Sequence, residues 1–231
     1  MKKLVVFSLL AVLFFSVSAF AEIEFYAGDF DPNNPNANGL ANENDAIVGG
    51  DPYGAATYQN WQHLAANGAI AGLWTNNLSQ LTPTGGYWEI RSGISEGNGG
   101  TLLASGSGGI TNAPTGRSGF GYTEYRNLMY MNVDLPDGTY WYAVVPICTT
   151  CAARAFNSNT FGLNQVGTDI PNQAFYNSSF FGANFTNANN EGVFQAFSGG
   201  VLTGTPEPSS LIMLGSGLVA AVGVVRRRLY R

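Results

Sequence analysis

The chain has 231 residues, a formal net charge of −5 and only 11% charged residues. Residues 22–205 hold four arginines and no lysine against fourteen aspartates and glutamates, a net charge of about −10. This charge excludes nucleic acid and anionic surfaces as expected partners, because both require clustered basic side chains. Thirty glycines and 13% aromatic residues in a weakly charged chain favour a β-rich extracellular domain with long ordered loops. Disorder is the alternative, but a disordered chain lacks this much apolar surface.

The first 21 residues have the three parts of a secretory signal peptide. Residues 1–3 are basic, residues 4–15 are apolar, and residues 19–21 form a small-x-small cleavage site. This order predicts export by the secretion machinery, removal by signal peptidase and a mature chain that begins at Glu22. Residues 22–204 are enough to bury a core, so we predict one extracellular domain there.

The loop-like stretch from residue 28 to residue 51 contains the spacing of an EF-hand-type calcium loop. Gly39 falls at position 6, the sharp turn, and oxygen-bearing groups fall at positions 1, 3, 5, 7, 9 and 12. These groups belong, in order, to Asn34, Asn36, Asn38, Leu40 (through its carbonyl), Asn42 and Asp45. The pattern departs from a good calcium loop, which begins with Asp and ends in a bidentate Glu. The alternative is that these side chains only form Asx turns.

Several strands are predicted by alternating apolar residues. The first begins at Ile23–Phe25. Residues 87–94 and 101–104 predict a hairpin through the glycine-rich turn at residues 97–100. Between these strands, residues 55–81 fit two patterns: Tyr58, Trp61 and Leu64 would share one face of a helix, whereas the residues from Ile70 to Trp74 alternate as in a strand.

The strongest hairpin signal lies further along the chain. Residues 129–135 alternate, residues 136–138 (Pro-Asp-Gly) form a turn, and residues 139–146 return as a β-branched and aromatic strand. This stretch resembles the closing hairpin of many extracellular jelly-roll or immunoglobulin-like sandwiches. We therefore predict an all-β fold with a single antiparallel β-sandwich, flanked by the signal peptide and a C-terminal transmembrane sorting helix.

Cys148 and Cys151 are the only cysteines in the chain. Because an oxidising compartment converts paired cysteines to bridges, we predict a disulfide between them. Redox catalysis would instead favour a dithiol at the start of a helix, and zinc would need more ligands than the single histidine, His63, supplies.

An internal repeat follows the cysteines. Residues 156–164 (FNSNTFGLN) recur as residues 176–184 (YNSSFFGAN). Two copies are too few for a solenoid. We interpret them as two equivalent strand-turn units, each with an aromatic pair in the core and an asparagine at a glycine turn. The alternative is a duplicated ligand-binding edge.

Candidate catalytic groups are few. No lysine remains after signal-peptide removal, and the sequence has no G-x-S-x-G and no phosphate-binding loop. A nucleophilic mechanism would depend on His63, and glycoside cleavage would need two carboxylates from Glu89, Glu96, Glu124 and Glu191. Exposed glutamates are more often a solvated surface, so we expect no catalytic site.

The last 27 residues consist of three blocks. Pro206, Glu207 and Pro208 form a rigid, extended triplet, residues 211–225 are apolar, and the end of the chain is basic. The basic residues are Arg226, Arg227, Arg228 and Arg231. An apolar run followed by arginines predicts a membrane helix with a cytoplasmic basic stop.

These blocks resemble the PEP-CTERM sorting signal in both order and spacing. The resemblance covers only the tail. It implies passage across the inner membrane, recognition of Pro206-Glu207-Pro208 by exosortase, a membrane-embedded cysteine transpeptidase, and loss of the helix. It further implies delivery to the cell surface or extracellular matrix. The alternative is an ordinary single-span anchor with a chance triplet before it.

The tail and the body together suggest a surface or matrix protein that acts in adhesion or matrix assembly, without a cofactor unless calcium binds at residues 34–45. A carbohydrate-binding module for exopolysaccharide is the alternative, and a secreted glycan-active enzyme is the second. Four tryptophans distinguish a structural protein from a carbohydrate-binding module, because a sugar platform needs exposed rings whereas a structural protein buries them. They are Trp61, Trp74, Trp88 and Trp141.

Overall fold

The computed structural model describes residues 21–34, 37–168, 173–191 and 196–204, except for the side chains of residues 190 and 191. The chain is all-β in these ranges, as predicted. Its strands are β1 (Ala21–Tyr26), β2 (Gly39–Ala41), β3 (Asn44–Asp45), β4 (Ala56–His63), β5 (Ile70–Ser79), β6 (Gly85–Ser92), β7 (Thr101–Gly108), β8 (Thr111–Gly119), β9 (Tyr122–Val133), β10 (Gly138–Cys148), β11 (Ala155–Thr160), β12 (Phe175–Ser178), β13 (Ala183–Asn187), β14 (Ala196–Phe197) and β15 (Gly199–Gly204). Short 3₁₀ turns occur at Ala65–Asn67 and Ala188–Glu191.

Neither end of the chain contributes a described helix. The described ranges contain no helix with the length and apolar character needed to cross a membrane. The predicted signal peptide, apart from Ala21, and the predicted sorting helix at residues 211–225 lie outside the described residues. Their assignments stay predictions.

Two sheets organise the described strands. The eight-stranded sheet has the order β1-β15-β5-β11-β14, with β9 also paired to β5, β8 to β9 and β2 to β11. The seven-stranded sheet has the order β13-β12-β4-β10-β6-β7. Its remaining strand, β3, pairs with β10 in parallel at Ile147 and Asn44, whereas eleven further strand pairs are antiparallel. The antiparallel prediction therefore holds apart from this short pair.

The main core is shared by the two sheets. Leu73, Met129 and Val201 of the eight-stranded sheet belong to one buried cluster with Trp61 and Tyr142 of the seven-stranded sheet. Side chains from facing sheets that interdigitate in this way form the usual interior of layered β-domains. Among the described residues, this cluster has the most members of the buried apolar clusters.

Strand β10 explains the apolar run in the second half of the predicted hairpin. Tyr142 and Val144 join the main core, whereas Trp141 and Ala143 join a second buried cluster that includes Phe185. Since alternate strand residues point to opposite faces, β10 is buried on both. A continuous apolar sequence is therefore needed at this position.

Asparagine and threonine side chains connect the sheets through the interior. Asn42 Nδ2 and Thr75 Oγ1 donate to the carbonyl of Val144 at 2.8 and 3.0 Å. Asn157 Nδ2 donates to Thr57 Oγ1 at 2.8 Å. All five residues are buried. Buried polar groups need such partners, and these side chains supply them for one another. Asparagine therefore has a role in the interior, whereas the composition predicted it for loops.

The prediction that residues 129–146 form a hairpin is wrong in its pairing. Both strands and the turn exist, but β9 pairs with β5 and β8, whereas β10 pairs with β3, β4 and β6. The turn therefore crosses from one sheet to the other. Tyr140 Oη donates to the carbonyl of Pro136 at 2.9 Å, and Asp137 Oδ1 accepts from the Ala65 N–H at 2.6 Å. These bonds fix a crossover that local sequence cannot distinguish from a hairpin.

The other strand predictions have clearer outcomes. The hairpin of residues 87–104 is confirmed, because β6 pairs with β7 in antiparallel fashion, with Ile90 opposite Ala104. Residues 55–81 form strands β4 and β5 rather than a helix. Tyr58 and Trp61 consequently belong to different buried clusters, on opposite faces of the sheet.

Candidate functional site

The predicted sorting residues lie outside the described residues. This applies to Pro206, Glu207 and Pro208 and to Arg226, Arg227 and Arg228. The other predicted site residues belong to the body, within residues 21–204.

The two cysteines are bonded to each other. Cys148 ends β10, and its Cα lies 5.3 Å from that of Cys151. The Cys151 N–H donates to the Cys148 carbonyl at 2.9 Å, and the Cys151 carbonyl accepts from the Ala46 N–H at 2.9 Å. The disulfide therefore closes a hydrogen-bonded turn that also holds the loop after β3.

The residues of the calcium prediction are divided between strands and the interior. Leu40 lies in β2, Asn42 is fully buried and bonded across the core, and Asp45 Oδ1 accepts from the Ile47 and Val48 N–H groups at 2.8 and 2.5 Å. The described residues contain no group of three or more His, Cys, Asp or Glu side chains able to hold a metal. Asn36 lies outside the description. These contacts favour the Asx-turn alternative, and calcium binding stays a prediction.

His63 is enclosed by acceptors. Its Nδ1 lies 2.9 Å from both carboxylate oxygens of Glu24, and its Nε2 lies 3.2 Å from the carbonyl of Leu135. The ring is fully buried. Both ring nitrogens are thus engaged in tying β1 and the β9–β10 crossover to the end of β4.

Three buried glutamates each pair with an arginine. Nε of Arg91, Arg117 and Arg154 lies 2.6 Å from a carboxylate oxygen of Glu89, Glu124 and Glu43, respectively. Desolvation of an unpaired carboxylate would be costly, so the arginines compensate these buried charges. Three of the four arginines in the body are used in this way.

Hydrogen bonds complete the environment of each glutamate. Glu89 accepts from Tyr58 Oη at 2.5 Å and Tyr87 Oη at 2.8 Å, and burial raises the pKa of both phenols. Glu124 accepts from Ser158 Oγ at 2.5 Å. Burial raises the pKa of Glu43, although Arg154 and the Ala155 N–H oppose this shift.

The three described glutamates that were considered for catalysis each have separate hydrogen-bond partners. Glu89 lies on β6 and Glu124 on β9, in different sheets, and each is saturated by its own donors. Glu96 Oε2 accepts from the Asn187 N–H at 2.7 Å in an exposed loop. The side chain of Glu191 is not described.

Tryptophan does not form an exposed platform. Trp61, Trp74 and Trp141 are 0%, 2% and 6% exposed. Trp88 is half-buried, and a Cβ added at Gly106 would lie 2.9 Å from its Nε1, so the two strands approach closely there. The tryptophans are therefore structural.

A ring-lined cleft lies elsewhere on the body, and sequence reasoning missed it. The Phe120 cleft has a volume of about 330 Å³. It is lined by Ala37, Asn38, Gly39, Leu78, Phe120, Tyr122 and Phe156. Four separate segments supply these residues, none of which is charged. The only local signal was a bulky aromatic residue between two glycines, at Gly119-Phe120-Gly121.

A two-residue turn between β8 and β9 presents Phe120. Gly119 pairs with Tyr122, so Phe120 and Gly121 form a two-residue loop with φ of 54° and 82°. These angles define a type I′ hairpin turn, in which the first position is usually Asn, Asp or Gly. Phe120 nevertheless occupies it with 66% of its surface exposed.

A buried ring supports this turn from below. Phe30 is 2% exposed, and its ring centroid lies 6.3 Å from that of Phe120. A Cβ added at Gly119 would lie 2.6 Å from the Phe30 ring, so the turn requires glycine here for space. The turn therefore rests directly on the body.

The neighbouring Asp29 fixes the segment that carries Phe30. It forms an ion pair with Arg117 Nη1 at 2.7 Å and accepts from Tyr26 Oη at 2.5 Å and Asn164 Nδ2 at 2.7 Å. Burial opposes the carboxylate charge, but these hydrogen bonds and Arg117 outweigh it and lower the pKa of Asp29. Burial and the Asp29 bond raise the pKa of Tyr26 to about 12.

The other walls of the cleft are also held firmly. The rings of Tyr122 and Phe156 meet edge to face, with centroids 5.6 Å apart. The Asn38 N–H donates to Asn159 Oδ1 at 2.8 Å, and the Asn159 N–H donates back to the Asn38 carbonyl at 3.0 Å. The cleft is therefore a preformed feature.

Exposed rings continue beyond the cleft. The Arg154 guanidinium lies 4.9 Å from the Phe156 ring and 5.7 Å from the Phe181 ring, and Phe181 contacts Phe180 at 4.9 Å. Phe180 and Phe181 are 53% and 47% exposed. The prediction that both copies of the repeat place an aromatic pair in the core is therefore wrong for these two residues.

A second cavity, of about 420 Å³, is more polar. Its lining includes Asp51, Tyr53, Asn177 and Asn184. Tyr53 Oη lies 2.6 Å from Tyr58 Oη and accepts from Asn177 Nδ2 at 2.9 Å. Tyr53 is the one aromatic residue in its lining, whereas three aromatic residues line the Phe120 cleft.

These features define an all-β domain with internal ion pairs and a ring-lined cleft. The PEP-CTERM protein-sorting motif matches residues 205–228, at the predicted tail. This match implies exosortase as the processing partner, together with export and a membrane-anchored sorting intermediate. No curated protein and no solved structure matches the chain.

Proposed function

We propose that this chain is an exported surface protein whose tail is processed by exosortase and whose body acts in adhesion or matrix assembly without turnover of a substrate. The observation that carries the proposal is the match of the sorting motif to residues 205–228. Final delivery is to the cell surface or extracellular matrix. The signal peptide predicted for residues 1–21 supplies the export step.

The body supports this role through its construction. Residues 22–204 form one unit by their contacts, with a core shared by two sheets, and we class it as a β-sandwich of jelly-roll or immunoglobulin-like type. Its buried glutamates are paired with arginines and its cysteines with each other. Such a domain suits a binding or building role outside the cell, where disulfides persist.

The sorting step is tested by changing Pro206, Glu207 and Pro208 to alanine in a host that has exosortase. We expect a longer species retained in the membrane, because the hydrophobic helix remains but the recognition sequence does not. Ser209→Ala with Ser210→Ala is the matched control and should be processed normally. Unchanged mass and location of the triple variant would refute the sorting role.

The non-enzymatic part is tested on the released protein. Incubation with a panel of polysaccharides should leave their chain lengths unchanged when they are analysed by size. Release of shorter products, lost in a Glu89→Gln or Glu124→Gln variant that still folds, would contradict it.

A further inference from the structure

We propose that the Phe120 cleft binds a neutral polysaccharide, with one sugar ring packed against Phe120, Tyr122 and Phe156. The inference deepens the proposed function and rests on it only for delivery of the body to polysaccharide outside the cell. The cleft volume of about 330 Å³ lies within the range of about 300–1,000 Å³ usual for small-ligand sites.

The backbone at Phe120 is the first argument. A bulky residue at positive φ is unfavourable, and asparagine or glycine would form this turn at lower cost. The ring is also 66% exposed, so burial compensates little of that cost. Strained residues that stability does not explain concentrate at functional sites. The geometry therefore points to a binding role for this ring.

The chemistry of the lining selects the ligand. Rings of Phe120, Tyr122 and Phe156 present apolar faces, which match the C–H faces of a sugar ring. None of the seven lining residues is charged, and the body has a net charge of about −10. An acidic polysaccharide would be repelled, and no lining carboxylate would attract a basic peptide. A neutral glycan fits both conditions.

The row of side chains beyond the cleft favours a polysaccharide ligand over a single sugar. From Phe156 it continues through Arg154 to Phe181 and Phe180, each in contact with the next. A guanidinium between two rings offers donors to hydroxyl groups as well as a flat face. Successive sugar units can therefore contact successive rings along one surface.

Phe120→Asn separates binding from folding. Asparagine suits the type I′ turn, so the melting temperature should stay the same or rise, while the sugar contact is lost. We expect wild type to bind at least one of cello-, manno- or maltohexaose in isothermal titration calorimetry, and Phe120→Asn to bind it about tenfold more weakly. Phe120→Tyr keeps the ring and should retain the affinity.

Tyr130→Thr is the matched control. Tyr130 lies on β9 outside the cleft and is 67% exposed, nearly the same as Phe120. Its loss should leave the affinity unchanged. The measurements use the protein that an exosortase-carrying host releases, and also the unprocessed full chain in detergent, so that failure of sorting does not mask binding.

The outcomes are distinct. No binding of any of the three hexaoses by wild type, or equal binding by Phe120→Asn, overturns the glycan site and leaves the sorting role intact. Preference for a polyanion such as alginate, or binding only of a peptide, also overturns it. If the full chain binds through Phe120 but the host does not process the tail, the result would support the glycan site and refute the proposed delivery by exosortase.

Discussion

The core between the sheets and the Phe120 cleft use aromatic residues in opposite ways. Trp61 is fully buried between two tyrosines, with ring centroids 5.6 Å from Tyr140 and 5.7 Å from Tyr142. Phe120 has one described ring neighbour, Phe30, and is mostly exposed. The buried tryptophans therefore contribute to stability, whereas the exposed Phe120 ring contributes little to it. Residue type alone predicts that the tryptophans are exposed for binding, since tryptophan is the expected sugar platform.

The largest expected effect is in the core. Trp61→Ala should lower the free energy of unfolding by about 3–5 kcal/mol, because it removes a fully buried ring and leaves a cavity. Denaturant unfolding measures the loss. Tyr130→Ala, at a 67% exposed ring, is the control and should change stability by no more than about 0.5 kcal/mol. Equal losses for the two variants would contradict the division between buried and exposed rings.

An intermediate effect is expected beneath the cleft. Gly119→Ala places a Cβ 2.6 Å from the Phe30 ring and should cost about 1–3 kcal/mol through overpacking. The melting temperature reports it. Gly108→Ala on β7 is the control, because a Cβ there meets nothing within 4 Å. A Gly119→Ala variant as stable as Gly108→Ala would show that the turn does not rest on Phe30.

The smallest effect concerns the charge that holds the Phe30 segment. Asp29→Asn should lower stability at neutral pH by about 1 kcal/mol, because it removes an ion pair with Arg117 that is partly open to solvent. The folded pKa of Asp29 is below its ordinary value of 3.8, so its ionised form favours folding.

That contribution is present above pH 3.8 and is lost as the pH falls through the folded pKa. The stability difference between wild type and Asp29→Asn should therefore narrow below that pH. Urea unfolding at pH 7 and across the acid range measures it. A gap that stays constant or widens in acid would contradict the assigned role.

Local features of the fold could be predicted from the sequence, and long-range ones could not. The hairpin of β6 and β7 is adjacent in the chain and has a glycine turn, so pattern and pairing agree. Residues 129–146 have equally good local signals, yet their two strands enter different sheets. Strand β9 pairs with β5 and strand β10 pairs with β4, and both partners come from distant parts of the chain. The number of plausible partners grows with distance, and alternation alone cannot choose among them.

The candidate site was hidden for the same reason. Residues 37–39, Leu78, residues 120–122 and Phe156 come together only through the pairing of β2, β5, β9 and β11. The asparagine spacing at residues 34–42 fits a calcium loop and also an Asx-turn region, and local sequence does not show that Asn42 is bonded within the core. The tail, by contrast, is a linear signal and could be recognised directly.

The central claim is that recognition takes place at the Phe120 cleft and not at the tryptophans. Backbone and indole N–H resonances of the ¹⁵N-labelled released protein, followed by NMR during titration with the hexaose that binds best, test it directly. The account predicts shifts at residues 119–122 and at Gly39, with the indole signals of Trp61, Trp74 and Trp141 unchanged. Shifts confined to those indoles, or to the polar cavity around Asn177 and Asn184, would contradict it.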